Sequence, residues 1–296
     1  MRGGRFVVAS SISLGSLMAG RLASLAQQSC VLLDSGVQLS AMSVPGDVFV
    51  SIRNVHQRFG ENHVLRGVDL DIYRGETLVL LGGSGGGKSV LMKHICGLLC
   101  PFEGEVEVDG EVISCKGERE LEAVRRKVSM MFQGGALFDS LSVGGNIAFP
   151  LREAGEEDEE VIQEKVEKAL EIVRLPGQTE KMPSDLSGGM RKRVALARAI
   201  VEMPKMVLYD EPHAGLDPVT ADSIDHLIKD LQRGHQITNV VVTHEMRSVF
   251  RIADRVVFMQ EGQIYFEGTP EEMKASKDKV LLDFIEGRSE RANEWD

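Results

Sequence analysis

Apolar and polar residues alternate in short stretches from about residue 48 onward, and this period of two predicts β-strands. Alternation covers residues 48–52 and 68–72, and it continues on either side of the Asp-Gly dipeptide at 109–110, which favours a hairpin turn. A late hairpin is predicted through the Glu-Gly pair at 261–262. Continuous apolar runs, typical of strands buried on both faces, lie at residues 78–81, 207–209 and 240–242.

Helical periodicity separates these strands. Apolar residues at three- and four-residue spacing share one helix face at Ile162, Val166, Ala169, Leu170 and Val173. The acidic stretch before them, residues 153–160, is interpreted as a solvated loop and helix start. Further helices are predicted at about residues 89–99, at about 187–202 and from 270 onward. Strands that alternate with helices indicate an α/β sheet, whose ligands bind at the carboxyl ends of the strands.

Composition narrows the class of protein. The chain has 296 residues, of which 43% are hydrophobic and 27% charged, an ordinary globular composition. The net charge of −11 excludes a bulk cationic surface, so no nucleic-acid partner is expected. The four cysteines form no CxxC pair, so neither a zinc site nor a disulfide framework is indicated, and reducing surroundings are the default. No apolar stretch reaches the roughly 18–20 residues of a membrane helix, so the chain is not expected to cross a bilayer by itself.

A glycine-rich stretch follows the first continuous apolar run at once. It reads Gly82-x-x-x-x-Gly87-Lys88-Ser89, the P-loop pattern, with a predicted strand before it and a predicted helix after it. Glycines let backbone N–H groups turn inward around a phosphate chain, Lys88 can reach the β- and γ-phosphates, and the Ser89 hydroxyl suits Mg²⁺. The motif indicates nucleotide binding and leaves kinase, GTPase and ATPase open. The candidate cofactor-binding residues here are Gly82, Gly83, Ser84, Gly85, Gly86, Gly87, Lys88, Ser89 and Val90.

Two acidic residues end the apolar run at 207–209. Asp210 is expected to hold Mg²⁺ through the water shell of the metal, and Glu211 to polarise the attacking water, as a general base or by orienting it. Beside a P-loop, this carboxylate pair narrows the chemistry toward nucleotide hydrolysis.

A second anion-binding device begins the helix predicted near residue 187. The sequence Leu186-Ser187-Gly188-Gly189-Met190 places a serine hydroxyl and glycine N–H groups at a helix N-terminus. With these motifs the sequence resembles the ATP-binding cassette family over about residues 48–288, in the family's motif order. The resemblance implies an α/β fold: a P-loop NTPase cassette with a RecA-like α/β core, an antiparallel β subdomain and an α-helical signature subdomain at about residues 134–200.

The resemblance also implies roles for single residues. Phe59 would stack on adenine, and Gln133 would contact Mg²⁺ and water and sense a membrane subunit. Asp217 lies in the loop after the catalytic glutamate, and His244 would contact the γ-phosphate. The implied catalytic residues are Glu211, His244, Gln133 and Lys88, and the implied metal site is Ser89, Gln133 and Asp210. A structural role is expected for the other histidines: His56, His63, His94, His213, His226 and His235.

In this family two cassettes pack head to tail around two ATP molecules. Each site then takes its P-loop from one chain and residues 187–189 from the other. The resemblance therefore implies ATP and Mg²⁺ as cofactors, a second copy of this chain as one partner, and a separate integral membrane permease as another.

Departures from the commonest family pattern point to a subfamily. Met190 stands where most members have Gln, Val90 where Thr is usual, and His213-Ala214-Gly215 replaces Thr-Ser-Ala. In these features the sequence is similar to the Mce/Mla-type lipid transporters, which include the ATPases of bacterial phospholipid trafficking and of the plastid trigalactosyldiacylglycerol importer. That similarity implies two further partners, an Mce-domain lipid-binding protein and, in some systems, a small cytosolic regulator.

Other functions stay open at this stage. An ATPase for polar amino acids or another small solute is the rival within transport, and a soluble cassette protein acting on ribosomes or DNA is the rival outside it. Residues 186–190 argue against an ordinary P-loop kinase. The apolar side chains of Leu137, Phe138 and Phe149 form a candidate surface for the permease, or else part of the core of the helical subdomain.

Residues 1–47 resemble no part of a cassette. Their start mimics a secretory signal, but export would separate an ATPase from ATP. Few acids, several serines and Arg21 suit a plastid transit peptide; a wrongly assigned start, with Met42 as the true one, and an ordered extension are the alternatives. Residues 289–296 are expected to form a polar tail. The expected location is the cytoplasmic face of the inner membrane or, with a transit peptide, the stromal face of the plastid inner envelope.

Overall fold

The computed structural model describes residues 47–288. The expectations for the leader, apart from its last residue, and for the polar tail lie outside these residues. In chain order the strands are β1 (Val48–Phe59), β2 (Asn62–Tyr73), β3 (Thr77–Gly82), β4 (Glu103–Val108), β5 (Glu111–Val112), β6 (Val128–Met131), β7 (Met206–Asp210), β8 (Thr238–Val242), β9 (Arg255–Gln260) and β10 (Gln263–Gly268). The helices are α1 (Lys88–Ile95), α2 (Glu118–Arg125), α3 (Val143–Glu153), α4 (Glu159–Ile172), α5 (Gly188–Ile200), α6 (Pro218–His235), α7 (Met246–Ile252), α8 (Pro270–Ala275) and α9 (Lys279–Glu286).

The first sheet is antiparallel and has four strands in the order β2-β1-β4-β5. Its alternating strands put apolar side chains such as Val50 and Ile52 into the core. The predicted turn at Asp109-Gly110 is confirmed: φ is 54° at Asp109 and 78° at Gly110. Positive φ at both central residues matches the right-handed twist of the flanking strands, which is why this dipeptide favours hairpins.

The second sheet holds six strands in the order β10-β9-β3-β8-β7-β6. All neighbours pair in parallel except β9 and β10, which form the predicted late hairpin. The register pairs Leu80 and Asp210 with Val242, and Met131 with Tyr209. The chain therefore leaves β3, β6, β7 and β8 at the same edge of the sheet, where ligands of α/β proteins bind.

Apolar side chains cover both faces of the parallel sheet. Along β3, Leu78 and Leu80 face a core shared with the antiparallel sheet and α1, whereas Val79 and Leu81 face a core shared with α3 to α7. Because successive side chains point to opposite faces, a strand covered on both sides must be apolar at every position. This explains the continuous apolar runs and confirms the expected α/β core with an antiparallel β subdomain and a helical subdomain.

The helices depart from expectation in several places. No helix was predicted for α2, α6 or α7, and the segment expected to be helical from residue 270 onward divides into α8 and α9. The helix predicted to reach about residue 99 ends at Ile95, because Gly97 takes a left-handed φ of 65° and turns the chain away. The acidic stretch does form a loop and helix start, with the carboxylate of Asp158 accepting hydrogen bonds from the first N–H groups of α4. Helices α3 to α5 lie within 134–200, and the subdomain boundaries themselves stay a prediction.

In residues 47–288, no helix has both the length and the apolar character needed to span a membrane.

The expectation that no disulfide is indicated was wrong for one pair. Cys100 and Cys115 are bridged, with their Cα atoms 4.7 Å apart. Cys100 precedes β4 and Cys115 follows β5, so the hairpin formed by these strands returns the chain to its starting point. Sequence spacing alone does not reveal such a return. Cys96 is buried and unbridged.

The bridge closes a segment of 15 residues, for which restriction of the unfolded chain is worth about 3 kcal/mol. In protein purified without reductant, Cys100→Ser should therefore lower the free energy of unfolding by roughly that amount, and with reductant it should equal the wild type. Denaturant unfolding measures both, and Cys96→Ala, which keeps the bridge, serves as the control. Wild-type stability that is insensitive to reductant would contradict the bridge.

Candidate functional site

The loop after β3 is shaped by glycines that no other residue could replace without movement. Gly82 has φ 137°, and a Cβ there would lie 2.1 Å from the carbonyl oxygen of Met259. Gly87 has φ 92°, and a Cβ there would lie 2.6 Å from a methyl carbon of Leu65. Gly83, Ser84 and Gly85 form an exposed rim. The loop is therefore fixed at both ends against neighbouring strands and open in the middle, as a backbone cradle for an anion requires.

Lys88 lies at the start of α1 with its side chain buried. Its Nζ donates hydrogen bonds to the carbonyl oxygens of Gly82 and Gly83, each at 2.8 Å. Burial lowers the pKa of Lys88, and the carboxylates of Glu211 and Asp210 oppose that shift. The ammonium is thus held against the inner wall of the loop, where it can meet a phosphate.

Ser89 and Asp210 come together from two different elements. The Ser89 hydroxyl donates to a carboxylate oxygen of Asp210 at 3.3 Å. Burial raises the pKa of Asp210, and the nearby Glu211 charge acts in the same direction. Both groups offer oxygen ligands, which Mg²⁺ prefers. The donor set therefore fits the metal, and a cation there would relieve the cost of burying the carboxylate.

The Glu211 carboxylate is held from two sides. One oxygen accepts a hydrogen bond from the Gln133 amide at 2.9 Å, and the other lies 2.9 Å from Nε2 of His244. The backbone of Glu211 has φ 47°, a region that non-glycine residues seldom occupy, and its N–H donates to the carbonyl of Val242. Strain of this kind clusters at functional sites. The three side chains follow β6, β7 and β8, so the sheet edge itself brings them together.

Lys192 belongs to the same network, although none of the sequence motifs marks it as a site residue. Its Nζ donates to the main-chain carbonyls of Gln133 and Glu211. The side chain is buried, and burial lowers its pKa. One sequence signal could have identified it: Lys192 shares a helix face with the buried Ala195 and Leu196. A lysine on an apolar helix face needs a partner.

Residues 187–189 pack against the loop around Asp217 and the start of α6, not against the P-loop. The Ser187 hydroxyl accepts from the N–H of Met190 at the start of α5. A Cβ at Gly189 would lie 2.4 Å from the Thr220 methyl group, so α5 and α6 approach closely there. Asp217 accepts a hydrogen bond from the Thr220 hydroxyl and caps α6 by accepting from the N–H groups of Thr220 and Val219, and these bonds lower its pKa. The hydrogen bonds of the described residues thus join residues 187–189 and Asp217 to their own helices rather than to Ser89 or Glu211.

Phe59 and Val90 are the remaining candidates for nucleotide contact. Phe59 ends β1 with half of its surface exposed, and Leu65 of the paired strand β2 packs against Gly87. The hairpin of β1 and β2 that carries this exposed ring thus contacts the P-loop through Leu65. The Val90 side chain packs against the core around α1, so only its backbone could face a ligand.

His213 is buried in the loop after Glu211. Its ring nitrogens lie 2.7 Å from a carboxylate oxygen of Asp225 and 3.2 Å from the Thr243 hydroxyl. These contacts tie the loop to α6 and to the end of β8, next to His244. The arrangement agrees with the structural role expected for this histidine.

Comparison with known proteins gives consistent matches. Residues 65–214 match the family described as ABC transporter. Over 241 residues the chain is 38% identical to the intermembrane phospholipid transport system ATP-binding protein MlaF of Haemophilus influenzae, covering 81% of this chain and 91% of that protein. Over 258 residues it is 38% identical to the chloroplastic protein TRIGALACTOSYLDIACYLGLYCEROL 3 of Arabidopsis thaliana, covering 81% of this chain and 74% of that protein.

Among solved structures, the fold is similar to the dimeric post-hydrolysis state of the ATP-binding cassette MJ0796 bound to ADP and Pi. The TM-score is 0.69 at 31% sequence identity, and the match covers 75% of this chain and 98% of that one. The family match includes the P-loop, Gln133, residues 187–189 and the Asp210-Glu211 pair, while Phe59, Asp217 and His244 lie beyond it.

The raised pKa of Asp210 makes a prediction about stability. An acid whose pKa is raised by folding destabilises the fold at pH values above its folded pKa, and this cost disappears as the pH falls below its ordinary value near 3.8. Asp210→Asn should therefore raise the melting temperature of the ligand-free chain at pH 7, and the advantage should vanish below pH 3.8.

The matched control is Asp217→Asn, because the pKa of Asp217 is shifted the other way. Its carboxylate stabilises the fold above the ordinary pKa, so the variant should gain nothing at pH 7. Thermal melts of both variants across this pH range make the comparison. Equal melting temperatures for Asp210→Asn and the wild type at pH 7 would contradict the assigned cost.

Proposed function

The chain belongs to the ABC transporter family, and on that premise we propose that it is the ATP-hydrolysing subunit of a lipid transport system. One observation carries the hydrolytic part of the proposal: the Glu211 carboxylate is held by both Gln133 and His244 at the sheet edge where the P-loop also lies. That is the geometry required of a group that accepts a proton from water next to a bound phosphate chain.

Nucleotide binding falls to the loop at 82–89 and its surroundings. Backbone N–H groups of the loop and the Lys88 ammonium bind the phosphates, and the ring of Phe59 stacks on adenine. Ser89, Asp210 and Gln133 would hold Mg²⁺, and Asp210 would act through the water shell of the metal. When bound, Mg²⁺ supplies positive charge that offsets the charge developing on the β- and γ-phosphates.

Hydrolysis needs an attacking water that is oriented and deprotonated. Glu211 accepts the proton of that water, while the Gln133 amide and His244 keep the carboxylate in one orientation. His244 also contacts the γ-phosphate. The strained backbone of Glu211 supports this assignment, because strain is retained where geometry matters more than stability.

A second copy of the chain completes each site. Residues 187–189 form an anion-binding turn at a helix N-terminus, yet within one chain they pack against the loop of Asp217. A head-to-tail partner would bring its own turn to the γ-phosphate over the P-loop, and Asp217 would lie at that junction. The dimeric state of the similar cassette MJ0796 supports this arrangement.

Lipid is the proposed cargo because of the relatives. MlaF is named for intermembrane phospholipid transport, and the Arabidopsis relative for trigalactosyldiacylglycerol. The proposed partners are an integral membrane permease, an Mce-domain lipid-binding protein and a small cytosolic regulator. The proposed location is the cytoplasmic face of the inner membrane, with the stromal face of the plastid inner envelope as the alternative.

The permease is proposed to dock near two exposed aromatic rings. Phe138 and Phe149 are 40% and 37% exposed, and their ring centroids lie 4.7 Å apart. Pro150, next to Phe149, lines a cavity of about 230 Å³ together with Leu98 and Met130. An apolar surface beside a cleft suits a short helix of a membrane partner.

Glu211→Gln tests the hydrolytic assignment. Glutamine keeps the shape of the side chain but cannot accept the water proton, so the turnover number should fall by about 100-fold or more. ATP affinity should stay within about twofold, because the amide removes no contact to the phosphates. Steady-state ATPase assays and equilibrium ATP binding measure the two effects. Glu164→Gln, on the exposed face of α4, is the matched control, and turnover in Glu211→Gln equal to that of the control would refute the role.

Phe138→Ala combined with Phe149→Ala tests the docking surface. Loss of the ring pair should abolish copurification with the permease, since the apolar contact area is removed. The ATPase activity of the separate chain should persist, because neither ring belongs to the proposed nucleotide site. Phe250→Ala, an equally exposed ring on α7, should leave the complex intact. An undiminished complex with the double variant would place the permease elsewhere.

A further inference from the structure

Lys192 connects two residues of the proposed hydrolytic site through their backbones. Its ammonium, on α5, donates to the carbonyl oxygens of Gln133 and, at 3.4 Å, of Glu211. The side chains of these two residues also bond each other, at 2.9 Å. Lys192 therefore closes a ring of hydrogen bonds that runs through both backbones and both side chains.

A buried lysine is a costly way to hold a helix in place. Taking an ammonium out of water carries a desolvation penalty, and an apolar side chain of similar size would fill the same space without it. The Lys192 side chain is only 7% exposed, so it carries this penalty. The neighbouring positions on this helix face, Ala195 and Leu196, are apolar. The cation at position 192 is therefore explained by what it bonds rather than by packing.

Lys192 lies on the helix that connects the turn at 187–189 to the loop after Gln133. The helix begins at Ser187 and Gly188, the anion-binding turn. Farther along, Arg198 of the same helix donates to the carbonyls of Gly135 and Ala136. The helix thus holds the loop after Gln133 at two points, and Lys192 is the one of these two cations that also reaches Glu211.

We propose that Lys192 is a positioning residue for ATP hydrolysis. It fixes the backbones of Gln133 and Glu211 relative to α5. When the turn at 187–189 engages the nucleotide on the P-loop of the second copy, the Glu211 carboxylate of the same chain is thereby placed for the attacking water in its own site. This inference rests on the proposed role of Glu211. Lys192 itself touches neither nucleotide nor water.

Lys192→Met and Lys192→Gln separate this role from simple packing. Methionine matches the length of the lysine stem but cannot donate, so the turnover number at saturating ATP should fall about 10-fold or more, while ATP affinity stays within about twofold. Glutamine restores a donor without the charge and should recover a substantial part of the lost turnover. The full chain is assayed for steady-state hydrolysis, equilibrium ATP binding and thermal unfolding, with the exposed Lys168→Met as the matched control.

Three results would overturn the inference. Wild-type turnover in Lys192→Met would show that the contact is dispensable. Parallel loss of ATP affinity and melting temperature, with no rescue in Lys192→Gln, would show that the residue only supports the fold. Glu211→Gln serves as the reference in the same assay: if it is inactive while Lys192→Met is normal, only the positioning role fails. If Glu211→Gln is fully active, the proposed hydrolytic function fails with it.

Discussion

Parallel pairing of β3, β8, β7 and β6 is the constraint on which the proposed site depends. Because these strands run in the same direction and in register, the chain emerges from all four at one edge of the sheet. The P-loop, His244, the Asp210-Glu211 pair and Gln133 each follow one of these strands directly. Residues distant in the chain thereby come within hydrogen-bond distance without any long loop. Apolar cores on both faces hold the sheet, so the edge is rigid where the chemistry is proposed.

The edge of the sheet holds buried positive charges, although the chain as a whole is negatively charged. The net charge is −11, yet the proposed ligand is a polyanion. Two buried ammonium groups, Lys88 and Lys192, lie among the carbonyls and carboxylates of the edge, and burial lowers the pKa of both. Burial raises the pKa of Asp210, so it too disfavours the charged form of this side chain. The ligand-free site therefore carries the desolvation cost of these buried charges, and a phosphate chain and a metal ion would relieve it. Lower stability in exchange for function is common at such sites.

Local patterns predicted most of the fold and the motifs of the site. A continuous apolar run requires a strand covered on both faces, and Gly82 and Gly87 are required where a Cβ would collide with Met259 or Leu65. What could not be predicted depends on packing between distant segments. The burial of Lys192 is set by how α5 lies on the sheet, and the Cys100–Cys115 bridge by the return of a hairpin. The early end of α1 depends on the positive φ of Gly97, which the apolar pattern does not reveal. The roles of single residues such as Phe59 and Asp217 came from family resemblance, not from periodicity.

Lipid movement driven by this chain is the central claim, and a reconstituted complex tests it most directly. The chain, the proposed membrane permease and the proposed Mce-domain partner are placed in vesicles that contain a fluorescent phospholipid, and transfer of that lipid is followed over time. Transfer should require ATP and stop when a non-hydrolysable ATP analogue replaces it. Steady ATP hydrolysis by the assembled complex with no ATP-dependent change in lipid transfer would contradict the account.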